Sequence, residues 1–254
     1  MRKIKTLTYC LFFIFIALST AFGQEMKPEA AKLYNDGNKM LKEGNYDNAI
    51  KNYDQALKIE EDFRIYYQRG VALKMSGKLD DSKNSFEQCL KLKPDFEAGF
   101  NALGGVFFAM GKYPEAASNF EKVLAAAKSD NVKNKIKKNL SLVYAKMGNE
   151  ANNDGNTKKA VDDFTKATEY SNYDAAYLAL AKTYSDMGNY DKSLENAQEA
   201  LKYRSTIGKG GPYYYMGVAY KNKGNKEKAK EMFDQAKTDP NYKKLAEYEL
   251  TALK

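Results

Sequence analysis

The sequence predicts an all-α protein, a solenoid of about six helix-turn-helix repeats that ends in a C-terminal capping helix. The string Gly-Asn-x5-Gly-Asn-x3-Ala occurs twice, at Gly37–Ala49 and at Gly148–Ala160. Looser copies of the string begin at Gly70, Gly104, Ala181 and Gly217. Self-similarity at a period of about 34 residues is typical of stacked helical hairpins. Such a stack forms one elongated unit, because each repeat contacts only its neighbours.

The N-terminal residues 1–23 have the layout of a secretory signal peptide. A basic start is followed by an apolar run at 11–18 and by a small-x-small cleavage site at 21–23. The apolar part is short for a membrane span, although an uncleaved N-terminal anchor remains the alternative. The sequence therefore predicts an exported protein, periplasmic or extracellular in a bacterium, with a short lead at 24–29 before the first repeat.

Charge and cysteine content narrow the partners and the chemistry. The net charge of +8 falls to +5 without the three basic residues of the N-terminal segment. This small excess is spread along the chain and does not indicate a nucleic-acid partner. Cys89 is the only cysteine outside the N-terminal segment, so no intrachain disulfide is expected in the mature chain.

Catalytic chemistry is not expected. The chain contains no His, which excludes Ser-His-Asp and Cys-His catalytic groups and the usual zinc ligand sets. Cys89 occupies a position where other repeats have Ala, which favours packing over a reactive thiol. The paired carboxylates Asp80/Asp81 and Asp162/Asp163 fall at helix starts, where the helix dipole accounts for them. We expect no enzyme activity, no metal site and no cofactor.

Within each repeat, small and large residues alternate on one face of the second helix. The first position is small. The second position lies four residues later and is aromatic in five repeats. The third position lies three residues further on and is small or Val. Spacings of four and three place these positions on one helical face. The three sets are Ala49, Ser82, Ala116, Ala160, Ser193 and Ala229; Tyr53, Phe86, Phe120, Phe164, Ala197 and Phe233; and Ala56, Cys89, Val123, Ala167, Ala200 and Ala236.

Glycine occupies the turn of every repeat, and it occupies one position of the first helix in every repeat except the fifth, which has Ala181. A Gly five residues before the small position predicts a left-handed helix end. A second Gly or Ala, in the first helix, predicts close approach of the partner helix. The turn set is Gly44, Gly77, Gly111, Gly155, Gly188 and Gly224, and the first-helix set is Gly37, Gly70, Gly104, Gly148, Ala181 and Gly217.

These positions resemble the tetratricopeptide repeat (TPR) family. The resemblance covers nearly all of the chain after the N-terminal segment and implies a right-handed solenoid with a concave groove. Repeats 1 to 3 are expected within 30–130 and repeats 4 to 6 within 141–241. A helical extension at 131–140 is expected before repeat 4, with a cap at Ser129 or Asp130. Its packing face contains Val132, Ile136, Leu140 and Val143. We expect a mobile Gly-rich connector at Tyr203–Gly211 and a capping helix at 242–254, with Leu245 on its packing face.

The resemblance implies that first helices line the groove and bind a protein or peptide there. The candidate groove residues flank the packing face. They are Tyr34, Asn38 and Leu41 in repeat 1; Arg64, Tyr67, Val71 and Lys74 in repeat 2; Asn101 and Phe108 in repeat 3; Lys182 in repeat 5; and Tyr214, Val218 and Lys221 in repeat 6. The alternative for the tyrosines is packing against the next repeat.

Two narrower binding modes receive less support from the sequence. The Lys and Asn pattern with which co-chaperone members of the family hold a C-terminal carboxylate is absent, because only Asn38 matches it. The lysines at 133, 135, 137 and 138 could contact an anionic surface, but a solvated helix face explains them as well. We therefore expect a scaffold or adaptor that binds a peptide or protein without turnover, or alternatively a protein that binds an envelope glycan or polymer.

Overall fold

The computed structural model describes residues 25–253, so the segment interpreted as a signal peptide lies outside the described residues. The described chain forms thirteen α-helices and no strand. The helices are α1 (Pro28–Lys42), α2 (Tyr46–Ile59), α3 (Phe63–Met75), α4 (Leu79–Leu92), α5 (Glu97–Ala109), α6 (Tyr113–Ala126), α7 (Asp130–Asn153), α8 (Thr157–Tyr170), α9 (Asp174–Asp186), α10 (Tyr190–Lys202), α11 (Gly210–Asn222), α12 (Lys226–Ala236) and α13 (Lys243–Ala252).

The helices form six successive antiparallel pairs that stack into a solenoid. Within each pair the two helices pack along their length, from α1 on α2 to α11 on α12. Each second helix also packs on the first helix of the next pair, and α13 packs on α12. This neighbour-to-neighbour packing confirms the fold class predicted from the repeats.

All six predicted turn glycines adopt the left-handed conformation. Their φ angles lie between 73° and 79°, and no other described residue has a positive φ. Gly44, for example, follows α1 with φ 75° and is the C-terminal stop between α1 and α2. A residue with a Cβ would be strained there, which explains why the turn position is Gly in every repeat.

The glycines of the first helices make the predicted close approach to a ring on the second helix. A Cβ at Gly148 would lie 2.6 Å from Phe164 Cδ1, and a Cβ at Gly217 would lie 2.6 Å from Phe233 Cε1. Repeats 1 to 3 place Gly against Tyr or Phe in the same way. In repeat 5, Ala181 and Ala197 replace the Gly and the ring, and both are fully buried.

The extension before repeat 4 is continuous with the first helix of that repeat. Together they form α7, the longest helix described, with 24 residues. Ile136, Leu140 and Val143 are buried as predicted, but Val132 is 38% exposed and the prediction of its packing was wrong. Ser129 precedes the helix without a side-chain cap hydrogen bond, whereas Asp130 lies in its first turn.

The connector between α10 and α11 is tied to the buried Asp174 at the start of α9. The Asp174 carboxylate accepts hydrogen bonds from the backbone N–H groups of Ser205, Thr206 and Ile207, at 2.6, 2.6 and 3.1 Å. Burial raises the pKa of Asp174, but the hydrogen bond from the Thr206 hydroxyl and these three backbone bonds outweigh it and lower the pKa to about 2. The glycine content of this connector, from which we expected mobility, has another explanation. A Cβ at Gly210 would lie 2.3 Å from Asp239 Cβ, so glycine makes room for the Asp239 side chain.

The C-terminal helix α13 covers the last pair as predicted. Ala246 and Leu253 are buried against the cluster that contains Phe233 of α12. Leu245, which we expected on the packing face, is 48% exposed and lies on the outer side. Within residues 25–253, none of the helices combines the length and the apolar character that a membrane span requires.

Candidate functional site

Three predicted groove residues meet in one recess between the first helices of repeats 2, 3 and 4. Lys74 of α3 and Asn101 and Phe108 of α5 face α7 across a recess of about 290 Å³, here called the first recess. Its lining consists of Lys74, Asn101, Ala102, Gly105, Phe108, Phe120, Asn139 and Leu142. The first recess therefore combines an apolar wall, two amides and one cation, the mixture typical of binding pockets.

Asn101, which lines the first recess, has an unsatisfied side-chain acceptor. Its Oδ1 atom is buried and has no hydrogen-bond partner, the sole case among the side chains of residues 25–253. A buried acceptor without a donor costs about 1–3 kcal/mol relative to a bonded one. A ligand that brings an N–H group to Asn101 Oδ1 would recover this free energy.

Lys74 reaches across the first recess toward α5. Its Nζ atom lies 2.9 Å from the point that a Cβ on Gly105 would occupy, so the ammonium group rests in space that Gly105 leaves open. The ion pairs found among the described residues do not include Lys74. Lys74 thus holds a positive charge beside the recess without an ion-pair partner among residues 25–253.

A second recess, of about 470 Å³, lies on the other side of α7. Asn139 and Leu142 line both recesses, so the two are adjacent across α7. The second recess is lined by Lys138, Asn139, Ser141, Leu142, Ser171, Asn172, Tyr173 and Ser205. It is rich in hydroxyl and amide groups and carries one cation.

The predicted groove tyrosines contribute mainly to packing. The Tyr34 ring lies 6.2 Å from the Tyr53 ring within the core of repeat 1. Tyr67 packs edge-to-face on Phe96 at 5.2 Å, and burial raises the pKa of its hydroxyl. Tyr214 likewise packs on Phe233 at 5.8 Å. The Tyr34 and Tyr214 contacts lie within their own repeats, whereas Tyr67 contacts Phe96 at the start of α5, which is the kind of contact that the alternative of packing against the next repeat expects.

Other predicted groove residues already have partners within the chain. Asn38 Oδ1 accepts a 2.8 Å hydrogen bond from the Tyr53 hydroxyl. Arg64 donates from Nε to Asp62 Oδ1 at 2.9 Å, at the start of α3. Lys221 forms an ion pair with Glu249 of α13. The apolar candidates Leu41, Val71 and Val218 are half-buried in the cores of repeats 1, 2 and 6.

Lys182 is exposed on α9 and does not line the first or the second recess. The lysine cluster at 133–138 is also mostly exposed, apart from a 3.9 Å ion pair of Lys133 with Asp130. Only Lys138 of this cluster lines a recess. The structure therefore brings together the middle of the predicted groove and not its two ends.

The sequence interpretation missed Asn139 and Leu142, which both recesses share. The extension was predicted to pack through Ile136 and Leu140 and to present its lysines to solvent, and neither role includes Asn139 or Leu142. Leu142 lies six residues before Gly148, which is the register of Arg64 relative to Gly70. Repeat 4 thus has the apolar Leu142 at the register where repeat 2 has the charged Arg64. This difference is the signal that could have identified Leu142 as a surface contact.

The thiol of Cys89 is committed to packing. Cys89 is fully buried, and burial raises the pKa of its thiol to about 12. Such a thiol is inert as a nucleophile near neutral pH. Within residues 25–253, no three His, Cys, Asp or Glu side chains are grouped so that they could hold a metal ion.

Comparisons with known proteins identify the repeat type. Models described as TPR repeat or tetratricopeptide repeat match residues 37–77, 63–96, 175–206 and 213–242. The chain is similar to the small glutamine-rich tetratricopeptide repeat-containing protein of Dictyostelium discoideum, with 35% identity over 101 residues. That match covers 38% of this chain and 29% of the relative, so it spans less than a third of that protein's length.

Solved structures share the fold. The MamA RS-1 ArsTM double mutant superimposes with a TM-score of 0.52 and 20% identity, covering 70% of this chain and 96% of that one. YrrB, described as a TPR protein with an unusual peptide-binding site, has a TM-score of 0.50 and 22% identity, covering 77% of this chain and 96% of that one. At these identities the likeness establishes the fold.

Proposed function

We propose that this chain, a solenoid of tetratricopeptide repeats, is a scaffold or adaptor that binds an extended protein segment across α3, α5 and α7 without chemical turnover. The observation that carries the proposal is the unpartnered Oδ1 atom of Asn101, a residue that lines the first recess. An extended peptide offers backbone N–H groups along its length, and one of them can satisfy this acceptor. Phe108 and Leu142 provide apolar contact beside it.

The test is capture of a partner in cells. Tagged protein carrying Lys74→Ala and Asn101→Ala should lose the proteins that crosslink to the unmodified chain, as identified by mass spectrometry. The matched control is Asn134→Ala with Lys135→Ala, since both residues are exposed on α7 and line neither recess. Equal capture by the two double variants would contradict binding in the first recess.

An envelope glycan is the second candidate ligand, favoured by one observation. The second recess offers the hydroxyl groups of Ser171 and Ser205, the amide of Asn172 and the ring of Tyr173. Hydroxyl and amide groups beside an aromatic ring suit a sugar. Retention of the protein on purified cell-wall material, lost on Asn172→Ala and kept in the Asn134→Ala control, would support this candidate over a peptide.

We further propose that the chain is exported from the cytoplasm of a bacterium. The support is the layout of residues 1–23, with a basic start, an apolar run and a small-x-small site. N-terminal sequencing of the protein recovered from a bacterial periplasm should begin at Gln24. Recovery of the full-length chain in the cytoplasmic fraction would contradict export.

A further inference from the structure

The two recesses share one electrostatic character. Lys74 lines the first recess and Lys138 lines the second. Among the described residues that line either recess there is no Asp and no Glu. None of the ion pairs found among the described residues includes Lys74 or Lys138. Both recesses thus place a cation beside neutral amides and apolar groups.

Some other lysines of the described chain are neutralised by a carboxylate. Lys221 is neutralised by Glu249, Lys78 by Asp47, and Lys159 by Asp163. Several lysines among residues 25–253 thus have a carboxylate partner, whereas most of them, Lys74 and Lys138 included, have none. A ligand carboxylate near Lys74 or Lys138 would gain a charge-assisted contact that the protein itself leaves unmade.

The recesses are also continuous. Asn139 and Leu142 of α7 belong to both linings, so a chain that leaves the first recess enters the second by crossing α7. Leu142 is 36% exposed at this crossing, and it offers an apolar contact between the two lysines. Leu142 is thus shared by two recesses whose linings contain one lysine each.

We propose that the bound segment is acidic, with carboxylate side chains at Lys74 and Lys138 on either side of an apolar residue that packs on Leu142. This inference rests on the proposed function and specifies its ligand class. The carboxylates belong to internal Asp or Glu residues, since the chain lacks the residue pattern that recognises a free C-terminus. Asn101 Oδ1 then accepts from the peptide backbone next to the first carboxylate.

The experiment is selection of random twelve-residue peptides displayed internally on phage, so that no selected peptide has a free C-terminus. The purified protein should enrich peptides that contain two acidic residues flanking an apolar one. The Lys74→Glu and Lys138→Glu variants should lose the acidic preference at one position each. Lys137→Glu is the matched control, because Lys137 is exposed on the same helix and lines neither recess.

The outcomes separate this inference from the proposed function. Enrichment without an acidic preference, or an equal effect of Lys137→Glu, overturns the acidic ligand and leaves peptide binding intact. No enrichment by the folded protein overturns both. Competition is the last arm: an anionic polysaccharide such as polygalacturonate should displace a selected peptide only weakly. Binding of that polymer tighter than of the peptide, and abolished by Lys138→Glu, would assign the recesses to an acidic glycan instead.

Discussion

At the residue scale, two glycines of the first helices, Gly148 and Gly105, differ in what an added Cβ atom would meet. The ring of Phe164 lies where a Cβ on Gly148 would be, whereas the only atom near a Cβ on Gly105 is the mobile Nζ of Lys74. The first contact is fixed, because Phe164 is 2% exposed, and the second can move aside. Two glycines in first helices of the same fold therefore have different roles.

Replacement by alanine should separate these roles. Alanine gains about 1 kcal/mol of helix propensity over glycine, but an overpacked core costs about 1–3 kcal/mol. We expect Gly148→Ala to lower the free energy of unfolding by up to about 2 kcal/mol and Gly105→Ala to leave it unchanged or raise it. Urea denaturation followed by circular dichroism checks both. A stabilised Gly148→Ala variant would contradict the fixed ring contact.

The residue scale also shows a limit of the sequence interpretation. The repeated Gly-Asn pair identified the turn glycine, but no role followed for the asparagine after it. In the structure, the Oδ1 atoms of Asn156, Asn189 and Asn225 each accept a hydrogen bond from the backbone N–H of the residue three positions later, at 3.0–3.2 Å. Each asparagine is thus an N-cap for the second helix. This role was readable from the sequence, since Asn is a favoured cap residue.

At the element scale, the connector between α10 and α11 depends on a single carboxylate. Asp174 is fully buried, and its pKa is lowered to about 2 by hydrogen bonds from the connector. A carboxylate whose folded pKa lies below its unfolded value stabilises the fold above the unfolded pKa. That stabilisation is lost as the pH falls from about 4 to about 2.

Asp174→Asn should therefore destabilise the protein in a pH-dependent way. A pKa lowered by nearly two units corresponds to about 2 kcal/mol, which we expect the variant to lose at pH 7. The difference between variant and unmodified protein should shrink as the pH approaches 2. Urea midpoints at pH 7, 5 and 3 measure it, and Asp81→Asn, which removes an exposed carboxylate, is the control. A difference independent of pH would show that the carboxylate charge does not hold the connector.

The connector also shows what composition alone could not provide. Three glycines at 208–211, next to Lys209, suggested mobility, because glycine is frequent in flexible segments. Their small size instead admits the Asp239 side chain and the Tyr242 hydroxyl, which lie 2.3 and 2.8 Å from the Cβ positions of Gly210 and Gly211. Both contacts join segments about 30 residues apart, which a local sequence pattern does not reveal.

At the scale of the whole molecule, the solenoid needs a cover at its C-terminal end. Ala246 and Leu253 of the last segment bury the face of repeat 6 that contains Phe233, and Glu249 pairs with Lys221. Deleting residues 242–254 should expose this face and reduce solubility. Sedimentation velocity and thermal unfolding of the truncated chain test it, and a soluble, equally stable truncation would show that α13 is no cap.

The fold of the whole molecule was predictable and the site only in part, for one physical reason. The repeats contain the packing rules in every copy, so period, turns and close approaches could be read from Gly37 to Gly224. A recess depends on how successive helices are offset, which the period does not specify. Lys74, Asn101 and Phe108 were found from their register, whereas Asn139 and Leu142 lie on the extension of α7 that interrupts the period.

The central claim is that a protein segment lies over α7 in the groove. The most direct measurement is site-specific photo-crosslinking in cells, with a benzophenone amino acid in place of Leu142, which is 36% exposed and lines both recesses. The control is the same replacement at Leu92, which is 45% exposed on a second helix and lines neither recess. We predict discrete protein adducts from position 142 alone, mapped by mass spectrometry to one segment of the partner. Equal adducts from both positions, or none from 142 beside strong adducts from 92, would contradict binding in the groove.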